Sequence, residues 1–136
     1  GTNGKTTTTT LVGDIIKRWK SNTIVAGNIG FPYTNEVIKS ENDSISIIEI
    51  SSFQLETIDT FHAKVAAILN ITPDHLDRHK TMEAYTEAKF NVTKNQTADD
   101  FVILNFDDER SRDVLLMFYG SEELISLTQD IITRTE

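Results

Sequence analysis

Residues 1–7 read GTNGKTT, and few folds accommodate such an opening. Gly1 and Gly4 carry no Cβ, so the backbone can turn its N–H groups inward on an anion. Lys5 adds a positive charge that reaches β and γ phosphates, and Thr6 adds a hydroxyl for Mg²⁺. Leu11, Val12, Ile15, Ile16 and Trp19 follow at spacings that fit one helical face, which predicts a helix over Thr7–Lys20. Its N-terminus would aim a partial positive charge at the phosphates. The alternative is a glycine-rich turn before an ordinary helix, with Thr8 to Thr10 purely structural. A loop of this kind normally follows a buried strand. That strand, and the first glycine of the full G-x-x-x-x-G-K-[ST] pattern, would lie before Gly1.

The chain has 136 residues, enough for one domain, and 38% of them are hydrophobic, enough for a core. A net charge of −8 argues against a broad nucleic-acid surface. With no cysteine there is no disulfide framework and no thiolate metal site. No stretch approaches the ~20 apolar residues of a membrane span, and no leader is visible. A soluble, acidic, cytoplasmic α/β domain without membrane or nucleic-acid partners is expected.

Strand-like and helix-like stretches then alternate. Strands are predicted at Thr23–Ala26, Ser44–Ile50, Lys64–Ile71 and Phe101–Asn105, with a further edge strand at Glu123–Leu127. Helices are predicted from Pro32 through Val37 and Ile38, over Thr81–Lys94 and over Asp108–Tyr119. Lys64–Ile71 is nearly all apolar, as a central parallel strand should be. The alternation predicts a three-layer, mostly parallel sheet with helices on both faces, of the phosphate-loop type and incomplete at both ends. Ligands in such sheets gather at the C-terminal ends of strands, so the polar residues there are the candidates.

Glu49 stands near the end of an isoleucine-rich strand, before Ser51 and Ser52. It reads either as a Mg²⁺ ligand opposite Thr6 or as a solvent-facing residue on an edge strand. Residues 70–79, NITPDHLDRH, follow the most apolar strand and crowd Asp74, His75, Asp77, Arg78 and His79 together. His75 could be a ligand or phosphate contact; the alternative is a polar loop with Asp74 capping a helix. Tyr85 and Lys89 share a helix face, with Ala84, Ala88 and Val92 on the packing side. By itself this pattern describes a solvated lysine. His62 reads as structural. Residues 105–108 read as a nucleotide-side loop or a helix cap.

GTNGKTT, GNIG at 27–30, EISSFQL at 49–55, NITPDHLDRH, YTEAK at 85–89 and ILNFDD at 103–108, in this order, resemble the Mur ligase family. The likeness is to its central ATPase domain, and GNIG and EISSFQL are similar to the branch that adds D-glutamate. The resemblance covers most of Gly1–Asp108. It implies an ATP-dependent ligase of peptidoglycan precursor synthesis, joining D-glutamate to UDP-N-acetylmuramoyl-L-alanine through an acyl phosphate. Gly1, Thr2, Asn3, Gly4, Lys5, Thr6 and Thr7 would hold the ATP phosphates, with Lys5 also catalytic. Thr6 and Glu49 would serve one Mg²⁺. His75 would serve a second, bridging the γ-phosphate and the acyl substrate. Lys89 would be carbamylated, its added carboxylate becoming a metal ligand. Asn28 and Ser51 would contact the UDP-sugar.

The family also has an N-terminal domain for the uracil nucleotide and a C-terminal domain that helps bind ATP and the amino acid. Residues 1–136 are therefore expected to be part of a central domain and inactive alone, the full-length protein being a monomer. The alternatives are another Mur ligase, a folylpolyglutamate synthetase-type ligase, or a nucleotide-binding module without chemistry.

Overall fold

A computed structural model describes residues 1–116. Helix α1 spans Lys5–Trp19, and a turn carries the chain into strand β1, Thr23–Gly27. A short helix α2, Tyr33–Glu36, continues as one 3₁₀ turn, Val37–Lys39, before β2, Ile45–Glu49. The one-turn helix α3, Ser52–Leu55, precedes β3, Val65–Ile68. Two helices follow, α4 at Leu76–His79 and α5 at Met82–Phe90, the latter ending in a 3₁₀ turn over Asn91–Thr93. Strand β4, Phe101–Leu104, leads into helical residues 109–116. The predicted Glu123–Leu127 strand and the end of the last predicted helix lie outside the described residues.

The strands form two parallel pairs, β1 with β2 and β3 with β4. Thr23 faces Ile45 and Gly27 faces Glu49 in the first pair; Val65 faces Phe101 and Ile68 faces Leu104 in the second. Parallel neighbours joined by helical crossovers bear out the α/β expectation. One difference concerns β3. It alternates exposed and buried, with Ala66 and Ile68 inward and Val65 outward. Among the described residues it pairs with β4 alone, so the surroundings of a central strand are not seen.

Helix α1 corrects a second expectation. It packs on β1 and β2, yet Leu11, Val12, Ile15 and Trp19 face outward. The packing stripe consists of Lys5, Thr9, Gly13 and Ile16, and Gly13 alone on the helix is fully buried. A Cβ on Gly13 would stand 2.5 Å from Val25 Cγ2, so the bare glycine is what lets the helix approach the sheet. Small and polar residues thus form the inner face, which a hydrophobicity pattern does not reveal.

The core lies around Ile68, Ile71 and Tyr85, with Met82, Phe90, Val92 and Leu104 packed against it. Thr81 caps α5 by accepting from Ala84 N at 3.1 Å. Tyr85, Ala88 and Lys89 are buried on this helix, whereas Ala84 is exposed. Asp108 accepts from Ser111 N at 2.9 Å, making it a helix cap, and from Ile71 N at 2.9 Å, which ties it to the loop after β3.

Candidate active site

The phosphate-loop residues stand at the ends of β2 and β3. Gly4 adopts a left-handed conformation (φ 78°) and precedes α1 without a side-chain cap. The first N–H groups of α1 therefore remain available to an anion. Asn70, just past β3, fastens the loop from beside it. Its carbonyl accepts from Thr2 N at 2.8 Å, its Oδ1 from Asn3 N at 2.8 Å, and its Nδ2 donates to Asn3 O at 3.1 Å. Thr72 N donates to Thr2 Oγ1 at 3.1 Å. Thr2 Oγ1 also meets the Tyr85 hydroxyl at 3.2 Å. Lys5 folds back over the loop, donating to Thr2 O at 2.7 Å. Thr7 lies exposed in the first turn of α1.

Glu49 is 4% exposed, which removes the solvent-facing alternative. Its Oε2 accepts from Thr6 Oγ1 at 2.8 Å and its Oε1 from Asn28 Nδ2 at 3.1 Å. Both carboxylate oxygens are thus satisfied, as a buried carboxylate requires. The turn after β1 makes this possible. Gly27 has φ 116°, and a Cβ there would lie 2.2 Å from Glu49 O. That close approach lets Asn28 N donate to Glu49 O at 2.8 Å.

Across from the phosphate loop, Ser51 starts α3 with a capping box. Its hydroxyl accepts from Gln54 N while Gln54 Oε1 accepts from Ser51 N. His75 has φ 51° and is itself the N-cap of α4, without a side-chain cap bond. Asp74, the cap in the alternative reading of this loop, does not cap α4; its Oδ1 accepts from His75 N at 2.9 Å. Lys5, Asn28, Ser51, Ser52, Phe53, His75, Tyr85 and Lys89 line one cavity of about 230 Å³.

Lys89 departs from the solvated lysine that its helix pattern suggested. It is 5% exposed, with Nζ 4.3 Å from the centre of the Tyr85 ring. Burial, and then the charge of Lys5, lower its pKa from 10.5 to about 8, with Asp74 opposing the shift. A substantial fraction of its amine is therefore neutral in mildly alkaline solution. His62 sits away from this cavity, pairing with Asp100 Oδ2 at 2.6 Å.

The residues named from sequence for phosphate, metal and substrate thus surround one cavity or its phosphate-loop wall. Phe53 and Tyr85 complete the cavity and Asn70 and Thr72 hold its phosphate-loop wall, although the sequence alone assigns none of the four a role. Asn70 had a signal, since it terminates the most apolar strand at the position where parallel sheets place polar contacts. Tyr85 had only its spacing from Lys89. Among the described residues no group of three His, Cys, Asp or Glu side chains could hold a metal ion. The hydroxyl of Thr6 and the carboxylate of Glu49 are nonetheless hard oxygen donors side by side, a set that suits Mg²⁺ when phosphate oxygens and waters supply the rest.

A glycine-turned loop opening into a helix, buttressed from two strand ends and facing a cavity that holds a buried lysine, defines an α/β protein with its polar residues gathered at strand ends. Residues 1–129 match the model of the Mur ligase middle domain, and the chain belongs to that family. It is 63% identical to the UDP-N-acetylmuramoylalanine–D-glutamate ligase of Lachnoclostridium phytofermentans, over 84% of this chain and 25% of that protein. With the enzyme of the same name from Clostridioides difficile it shares 60% identity over 80% of this chain and 24% of the relative. With that of Alkaliphilus oremlandii it shares 50% over 93% and 28%. The chain spans about a quarter of the length of these relatives. No helix among the described residues is long and apolar enough to cross a membrane.

Proposed function

We propose that this chain is the nucleotide-side part of an ATP-dependent ligase that joins D-glutamate to UDP-N-acetylmuramoyl-L-alanine. The observation that carries the reading is the single cavity in which Lys5, Asn28, Ser51, His75 and Lys89 meet beside the phosphate loop. The names of the relatives supply the substrates. A three-layer sheet fits the phosphate loop being bonded at Asn70, just past β3, and at Glu49, the end of β2.

In this reading the free N–H groups at the start of α1 and the Lys5 ammonium bind the β and γ phosphates of ATP. Thr6 and Glu49 would hold one Mg²⁺, and His75 and the modified Lys89 would serve a second. Bound metal supplies charge neutralisation around the transferring phosphoryl group. The substrate carboxylate, with its UDP-sugar held by Asn28 and Ser51, attacks the γ-phosphorus; the bond to ADP breaks and an acyl phosphate forms. The D-glutamate amine then attacks the acyl carbon, expelling phosphate and losing a proton. The chain's side chains position and neutralise rather than form covalent intermediates. Lys89 takes part after its neutral amine adds CO₂, giving a carbamate anion and releasing a proton. Its lowered pKa and its burial beside Lys5 support that step.

The test uses the full-length protein. Phosphate release from ATP is followed with UDP-N-acetylmuramoyl-L-alanine and each amino acid in turn, for wild type and Lys89→Ala. Release is expected to require D-glutamate, to fall at least about a hundredfold in the variant, as for loss of a transition-state electrostatic group, and to recover partly with a short carboxylic acid. Turnover independent of the amino acid would overturn the ligase reading. Full activity of Lys89→Ala would overturn the carbamate.

A further inference from the structure

The mechanism above leaves one buried histidine unused. His79 ends α4, with a side chain only 3% exposed. Its Nε2 lies 3.1 Å from Ser52 Oγ and its Nδ1 3.2 Å from Glu56 Oε1. The carboxylate keeps a proton on Nδ1, which leaves Nε2 in the neutral ring to accept from the Ser52 hydroxyl. The other Glu56 oxygen takes Arg78 Nη2 at 2.8 Å. Arg78 lies 4.4 Å over the Phe53 ring, and Phe53 stacks on His79 at 5.3 Å and 9°. Every one of these contacts joins the α3 segment to α4.

Helix α3 needs such an anchor. Four residues cannot hold a helical turn by their own hydrogen bonds, because nucleation costs more than one turn returns. The capping box secures its start at Ser51. Beyond that start, Asn91 Nδ2 donates to Leu55 O at 3.3 Å from the end of α5, and His79 holds Ser52 in the turn and Glu56 just after it. Ser51, which the proposed function sets against the substrate, and His75, which it sets at the second Mg²⁺, stand at the front ends of these two helices. The phosphate loop is held independently, by Asn70, Thr72 and Glu49.

We propose that His79 is a positioning residue: by bridging Ser52 and Glu56 it locks α3 onto α4 and sets where Ser51 and His75 stand across the cavity from Lys89. The proposal rests on the ligase reading for the identity of the substrate, though not for the lock itself. Ser52 is buried, so its hydroxyl serves as a tether and not as a nucleophile.

The experiment uses the full-length protein and four forms: wild type, His79→Ala, Glu56→Ala and Glu56→Gln. His79→Ala is expected to raise KM for UDP-N-acetylmuramoyl-L-alanine about tenfold, the effect of one lost buried hydrogen bond, with KM for ATP within about twofold. Glu56→Ala should follow it. Glu56→Gln retains an acceptor for Nδ1–H but loses the one for Arg78 Nη2, and should fall between wild type and Glu56→Ala. Hydrogen exchange at the amides of Leu55 and Glu56, which bond the Ser51 and Ser52 carbonyls, should quicken in both alanine variants while residues 8–13 of α1 keep their wild-type protection. Equal rises in both KM values, equal damage from Glu56→Gln and Glu56→Ala, or unchanged exchange at Leu55 and Glu56 would each overturn the lock. If wild type shows no D-glutamate-dependent turnover, the ligase reading fails, and the exchange contrast alone decides: faster exchange confined to α3 upholds the lock, and no change overturns it.

Discussion

An enclosed amine is a different reagent from one in water, and Lys89 shows why. Burial and the nearby Lys5 both act against its proton. Because its folded pKa of about 8 lies below the ordinary 10.5, the folded state holds that proton less tightly than the unfolded chain does. The charged lysine therefore opposes folding at neutral pH, and the penalty fades as pH climbs from about 8 toward 10.5. Lys89→Met is expected to unfold at higher urea than wild type at pH 7, with the gap closing toward pH 10.5. A constant gap across that range would show that the amine is not desolvated. The chemistry of this residue was not legible from its neighbours in sequence. Burial of Lys89 depends on Tyr85 being fixed by Thr2, a residue 83 positions earlier. Glu49 was half legible: its strand was evident, but the two donors that make its burial tolerable come from the first turn of α1 and from the loop after β1.

At the scale of elements, α1 makes the sharpest test. Alanine is the better helix former by ~1 kcal/mol, so propensity alone would make Gly13→Ala stabilising. The 2.5 Å approach to Val25 Cγ2 says the reverse. The substitution is expected to cost about 1–3 kcal/mol in urea unfolding, as overpacking does. Adding Val25→Ala should return part of that cost if the steric account is right. The same helix explains where reading from sequence fell short. Its existence and its start were legible from the glycine-rich turn; its inner face was not, because apolar spacing marked the opposite side. The strands were found to within a few residues because β-branched runs between turns have few other uses. Their division into pairs, and the shifts of one to three residues at their ends, the largest where β3 stops at Ile68 and not Ile71, follow from partners that no local window contains.

Taken whole, the described residues expose Leu11, Ile15 and Trp19 along α1 and much of β4. Trp19, the single tryptophan, is 76% exposed and so contributes little to the stability of this unit. Trp19→Ser in the 136-residue chain should shift the unfolding free energy by no more than about 0.5 kcal/mol. A larger loss, followed by far-ultraviolet circular dichroism since the fluorophore is gone, would mean that the ring is covered in solution. The general plan of strands, helices and a polar site at strand ends was legible from the alternation of segments. The convergence of positions 5, 28, 49, 75 and 89 was not derivable from spacing; it came from resemblance, and the topology supplies its physical reason. Parallel strands all end on the same side, so loops far apart in sequence empty into one place.

Glu49 grips Thr6 with one oxygen and Asn28 with the other. A cation arriving beside Thr6 must draw on an oxygen already engaged, and the neighbouring bond adjusts with it. Under the proposed function, the nucleotide side and the sugar side of the cavity are therefore two ends of one short lever. Whatever binds at one end changes the affinity at the other by the factor that the second would impose on the first.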